Sequence, residues 1–268
     1  MARKRDLRAL GLGLLAVWAS ACGGQGPDAD VETTHANLVT TNALSMNALS
    51  MNALSMNALS MNALSMNALS MNALSMNALV MPALSDPLAR QFLKYAISCA
   101  LPADQSVNLT IDGAAYSFPG GLGLAPQWGQ DGGTCDETCQ RWVSGCMLAR
   151  VDFLGVERPI SVRGASPALQ TSFSELRDYP VREATYYGNL WAPGAPKFAC
   201  LAPGKKQDPR VCGDSLDNCP MDVVGNCAVA CAYEGLTGGF VNCSSSGKAR
   251  KPEIYHESVS VFLPRTGM

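Results

Sequence analysis

The sequence predicts an α+β fold: a disulfide-rich domain over residues 86–268 with two main helices and a mostly antiparallel sheet, preceded by a short repeat of pentapeptide period. Three observations carry this. Helical periodicity is confined to two segments that open near residues 86 and 134, strand-like runs lie between and after them, and ten of the 11 cysteines fall in the same region. The remaining cysteine, Cys22, stands apart near the start.

Residues 1–21 read as a secretory signal. Arg3, Lys4, Arg5 and Arg8 make a basic start, and residues 9–18 make an apolar run too short to span a bilayer, which takes about 20 residues. Ala19-Ser20-Ala21 then forms a small-residue boundary that fits ordinary signal cleavage. With Cys22 directly after it, the segment also resembles the lipobox of bacterial lipoproteins, with Ala19 where Leu is usual. That resemblance implies that Cys22 is acylated and becomes the new N-terminus. Gly23, in place of Asp, resembles the outer-membrane sorting class of Gram-negative cells. The implied partner is the membrane, reached through an N-terminal lipid at the periplasmic face or the cell surface.

Cys99, Cys135, Cys139, Cys146, Cys200, Cys212, Cys219, Cys227, Cys231 and Cys243 all lie downstream of the signal, in a compartment where disulfides persist. Five bridges are expected, with their connectivity open. Without residues 1–21 the chain carries 16 basic and 21 acidic residues, a net charge of −5, and Asp28, Asp30 and Glu32 place three of the acids in the 22–36 linker. That balance excludes the basic footprint of a nucleic-acid binder.

Residues 37–85 form a spacer. The word Asn-Ala-Leu-Ser-Met recurs eight times over residues 42–81, with Val80 for the last Ser, between worn words at Asn37-Leu38-Val39-Thr40-Thr41 and Pro82-Ala83-Leu84-Ser85. Five residues advance a helix by about 500°, which scatters the leucines around it. On a strand, an odd period sends successive leucines to opposite faces. The pattern resembles the pentapeptide-repeat family, whose right-angled coils turn a central Leu inward; Leu44 takes that place, with Asn42 at the small inward position and Ala43 where Asp or Asn is usual. Ten words close only about two and a half coils, short of what self-supporting stacking takes. A short solenoid, a mobile charge-free tether and a long helix of good helix formers all stay open.

In the domain, Asp86 is placed as N-cap and Pro87 as first residue of a helix with Leu88, Phe92, Tyr95 and Cys99 on one face, ended by Pro102. Residues 107–111 and 114–118 read as a hairpin around Asp112-Gly113, with Val107, Leu109 and Ile111 facing inward. A second helix opens at Thr134 with Glu137 completing a capping box. Its stripe carries Cys135, Cys139, Trp142 and Cys146, residues 150–154 extend it, and Gly155 stops it. Strands are expected at 160–163, 184–191, 198–201 and 255–263, and residues 202–252 read as loop.

Few residues carry chemistry. Gly213-Asp214-Ser215-Leu216 resembles the nucleophile block of GDSL-type esterases, and Glu253-Ile254-Tyr255-His256 resembles the later block that supplies their base. A serine nucleophile needs such a histidine within hydrogen-bond reach. Here Glu253 stands for the expected Asp, and Cys212 and Cys219 flank the serine, so a stapled turn is the simpler reading. Asp214, Asp217, Asn218 and Asp222, beside Cys219-Pro220, resemble the calcium-binding repeats of thrombospondin type, but calcium takes six to eight oxygens. Zinc lacks histidines, since His35 and His256 are the chain's two. The eight methionines at positions 46–81 offer thioethers for Cu(I) or for scavenging oxidant. Trp128, Tyr186, Tyr187 and Trp191 are candidates for glycan or peptide contact, against the default of core residues.

The expectation is an exported, lipid-anchored envelope protein without a cofactor that binds or scaffolds a protein or glycan partner. A secreted GDSL-like hydrolase using Ser215 and His256, or a Met-rich copper-binding lipoprotein, are the alternatives.

Overall fold

The computed structural model describes residues 39–42, 44–45, 84–130, 132–153, 155–246 and 252–265. The signal, Cys22, the linker, the methionines at 46–81 and the conformation of most of the repeat lie outside the described residues. What is described of the repeat is its beginning: β1 (Val39–Asn42) and β2 (Leu44–Ser45).

Helix α1 (Pro87–Ala100) opens as its sequence dictates. Asp86, in extended backbone, accepts the Leu88 amide at 2.8 Å, and Pro87 fills a position where no N–H is needed. Phe92, Tyr95 and Cys99 of the expected face are buried and Leu88 is exposed; the buried face is wider and also takes in Ala89, Leu93, Ala96, Ile97 and Ala100. The hairpin of β3 (Ser106–Ile111) and β4 (Ala114–Pro119) turns on Asp112 and Gly113, both at positive φ, which matches the twist of the strands.

Helix α2 (Glu137–Ala149) starts later than the capping-box pattern suggests. Asp136, not Thr134, is its cap, accepting the Cys139 amide at 2.8 Å. It also ends earlier, at Ala149, and Val151–Asp152 form β5. The reason is tertiary: the Val151 carbonyl and the Phe153 amide are both engaged by Arg210, far along the chain.

The remaining elements are β6 (Arg158–Arg163), α3 (Phe173–Asp178), β7 (Val181–Gly188), β8 (Lys197–Leu201), α4 (Pro209–Cys212), β9 (Asp222–Asn226), α5 (Cys227–Ala230), β10 (Ala232–Tyr233), β11 (Phe240–Val241), β12 (Cys243–Ser244), β13 (Ile254–Tyr255) and β14 (Ser258–Leu263). The main sheet has the order β1-β6-β14-β7-β8-β9, antiparallel throughout except for the parallel pair β8–β9. Residues 202–252 are thus not all loop. They supply β9 at the sheet's edge, a short strand without apolar alternation.

Strand alternation gives the sheet two working faces. Ile160, Val162, Ala184, Tyr186, Val259 and Val261 turn toward α1 and α2 in the main core. From the other face Tyr187 and Cys200 join Phe240 and Tyr255 in a second core. All ten expected cysteines are paired: Cys99–Cys146 ties α1 to α2, Cys135–Cys139 staples the start of α2, Cys200–Cys227 joins β8 to α5, Cys212–Cys219 closes a tight loop, and Cys231–Cys243 brackets the β10–β11 hairpin. No helix among the described residues is long and apolar enough to cross a membrane.

Candidate functional site

A dense cluster of ionisable groups lies in the main core, against β7 in the interior of the sheet. Glu183 and Tyr186 come from β7, Asp208 and Arg210 from the turn into α4. Arg210 Nε donates to both Glu183 carboxylate oxygens, at 3.0 and 2.9 Å, and Nη2 reaches Oε2 at 2.5 Å. Tyr186 donates its hydroxyl to Asp208 Oδ2, while Asp208 Oδ1 accepts the Val211 amide at 3.3 Å. All four side chains are buried.

One buried guanidinium therefore faces two buried carboxylates. Burial, and then the charge of Glu183, push the Asp208 carboxyl up to about 6, with Arg210 opposing. Burial and the flanking acids raise the Tyr186 phenol well above its ordinary value, so it stays a donor. Burial is the largest single influence and works against the Arg210 charge, but Glu183, Tyr186 and Asp208 together more than offset it and its pKa rises. The cluster is closed to solvent. What it does is hold the 202–212 segment to the sheet and, through it, β5.

That second link is direct. Arg210 Nη1 donates to the Val151 carbonyl at 2.5 Å, and the Phe153 amide donates to the Arg210 carbonyl at 2.6 Å. Asp152, also buried, accepts Arg158 Nε at 3.1 Å and the Val156 amide at 3.1 Å, which braces β5 against β6. On this frame β1 pairs antiparallel with Arg158 to Ser161 of β6, and β2 pairs parallel with Val151 and Asp152.

The residues singled out from sequence fall elsewhere. Ser215 uses its hydroxyl to accept the Asp217 amide at 3.1 Å, capping a single 3-10 turn inside the Cys212–Cys219 loop. His256 is exposed, and its Nδ1 lies 2.5 Å from Asn242 Oδ1; no hydrogen bond joins it to Ser215. Glu253 instead holds Arg141 and accepts the Tyr255 hydroxyl at 3.0 Å. Asp214, Asp217 and Asp222 do not converge: among the described residues, the one set of three or more His, Cys, Asp or Glu ligand atoms within reach of one ion is Cys200, Cys231 and Cys243. Those sulfurs are held in disulfides and are not thiolate ligands. Asn218 follows Asp217 in the same capped turn.

Of the four aromatic candidates, Trp128, Tyr186 and Tyr187 are core residues, and Trp191 is half-buried against Phe92 at 6.2 Å. Strongly exposed apolar side chains are Phe173 on α3, at 92%, and three on the segment stapled to the second core, Val229 at 82%, Leu236 at 90% and Tyr233. Reading the sequence missed Glu183, Asp208 and Arg210. The available signal was Asp208-Pro209, the same cap-and-proline pair that marks α1 at Asp86-Pro87. The chain matches no family model, no curated protein and no solved structure.

Proposed function

We propose that this is an exported, lipid-anchored envelope protein, attached through acylated Cys22 at the outer membrane, with residues 37–85 as spacer and the stapled α+β domain as a binding or scaffolding module for a protein or glycan rather than an enzyme. The observation that carries the proposal is the cysteine pairing. Every cysteine after residue 22 has a disulfide partner, which fits an oxidising compartment and leaves Cys22 alone for lipid. The lipobox-like boundary at Ala19-Ser20-Ala21-Cys22 supports the same reading. A binding role is supported by exposed Val229, Tyr233 and Leu236 on a segment that two disulfides hold in place.

Labelled fatty acid should enter the wild-type protein and be absent from Cys22→Ala. Equal labelling of the two would refute the lipid anchor. For the partner, in-cell crosslinking of the intact lipidated chain should give a discrete adduct that Leu236→Asp and Val229→Asp weaken.

A further inference from the structure

Strands β6 and β5, in two separate sheets, pair with β1 and β2, which end a worn word and open the first full one, and that word has seven near-identical successors in the same chain. We propose that β6 and β5 form a register-degenerate docking slot: later words of the same chain replace the first one, so that the docked position slides along the repeat in steps of five residues.

Three observations lead there. First, the slot grips backbone. β1 and β2 are held through ladder pairing over Val39 to Asn42 and over Leu44 and Ser45, and ladder pairing is tolerant of side-chain identity. Second, the sequence Val39-Thr40-Thr41-Asn42-Ala43-Leu44-Ser45, which carries β1 and β2, aligns five residues on with Leu44-Ser45-Met46-Asn47-Ala48-Leu49-Ser50. The last four residues are identical, and Val becomes Leu, Thr becomes Ser and Thr becomes Met in the first three. A shift by one whole word therefore returns nearly the same residue to each ladder position, so the repeat itself does little to choose between registers. Third, the slot does not depend on the word for its own shape. The Asp152–Arg158 pair and the Arg210 bonds to β5 come from the domain.

The first register keeps an advantage, because Val39, Thr40 and Thr41 are β-branched and favour strand, whereas Leu, Ser and Met at the later registers favour it less. A later word is nevertheless always at hand, tethered at a high effective concentration that a second copy in dilute solution cannot match. The occupant is therefore the protein's own repeat.

Sliding changes reach. With the first word docked, 16 residues separate Cys22 from Val39. Each step adds five residues to that leash, about 17 Å of contour, and takes the same length from the segment that leads to Leu84. If Cys22 carries a lipid, the slot sets how far the domain stands from the membrane. This consequence rests on the proposed anchor, but the sliding itself does not.

Hydrogen exchange followed residue by residue on the full chain tests it in two variants. Leu44→Pro breaks the first register, yet in the next register residue 44 takes the first position of the strand, where proline is tolerated. The second variant carries the same Leu→Pro change in all eight words. Sliding predicts that the edge amides of residues 151, 152, 158, 160 and 161 keep their protection within about threefold in Leu44→Pro, with new protection at residues 47–50, and lose at least tenfold in the eight-word variant. Equal loss in both variants would mean a fixed register and overturn the proposal, as would full protection in the eight-word variant. Protection in Leu44→Pro that grows with protein concentration would place a second copy in the slot and also overturn it. Amides of α2 report whether the domain stays folded; if they lose protection, the set is repeated with Leu→Gly. None of these readouts involves Cys22, so failure of the anchor and failure of the slot are told apart.

Discussion

Replacing Asp208 by Asn should flatten the dependence of stability on pH between about 4 and 7. In the folded protein Asp208 is buried with Glu183 and Arg210, and its carboxyl is raised from 3.8 to about 6. A raised carboxyl means that the folded state binds the proton more tightly than the unfolded chain. Between the two values the folded state holds more protons, so stability falls as pH rises. The contribution is complete above pH 6 and absent below 3.8, and a difference near two units corresponds to about 3 kcal/mol. Asn keeps the shape and can still bond to Tyr186 and the Val211 amide, at a cost of about 1 kcal/mol for the altered geometry. The wild type should therefore be as stable as Asp208→Asn or slightly more so at pH 4, and less stable by about 2 kcal/mol at pH 7. Urea unfolding of the oxidised protein at half-unit pH steps, comparing the two slopes, measures this directly. The carboxylates outside the cluster are common to both proteins and cancel in the difference. Parallel pH profiles for wild type and variant would refute the charge imbalance assigned to the cluster.

Arg210→Met leaves Glu183 buried without its cation and removes the bond to the Val151 carbonyl, so stability at pH 7 should drop by roughly 3–5 kcal/mol, read from thermal unfolding. Removing Cys99–Cys146, which spans 47 residues, should cost about 4 kcal/mol, against about 2 for Cys135–Cys139, which spans 4; urea midpoints of the two double Ser variants give the ranking. Arg182 lies 5.1 to 5.5 Å from the rings of Tyr233, Phe240 and Phe262, so Arg182→Ala should loosen the β10–β11 hairpin by about 1–2 kcal/mol, seen as faster amide exchange at residues 232–241.

Local chemistry was legible in the sequence wherever a few adjacent residues settle the backbone. Asp86-Pro87 set the start of α1, Asp112-Gly113 set the hairpin turn, and the alternation of Val107, Leu109 and Ile111 set its inward face. The count of ten cysteines behind an export-type segment was enough to expect five bridges. The capping box at Thr134 did not set the start of α2: Asp136, whose carboxylate accepts the Cys139 amide, holds that position.

The sequence alone thus determined α1, the β3–β4 hairpin, the number of bridges and the five-residue period of the spacer, because each is written within a short window. Tertiary structure decided which cysteines meet, that residues 151–152 form a strand instead of prolonging α2, and that Tyr186 is 22 residues from its acid and Arg210 is 59 from the carbonyl it holds. Those outcomes depend on partners brought together by folding, and on the loss of water around Glu183, Asp208 and Arg210 that makes their charges matter to one another.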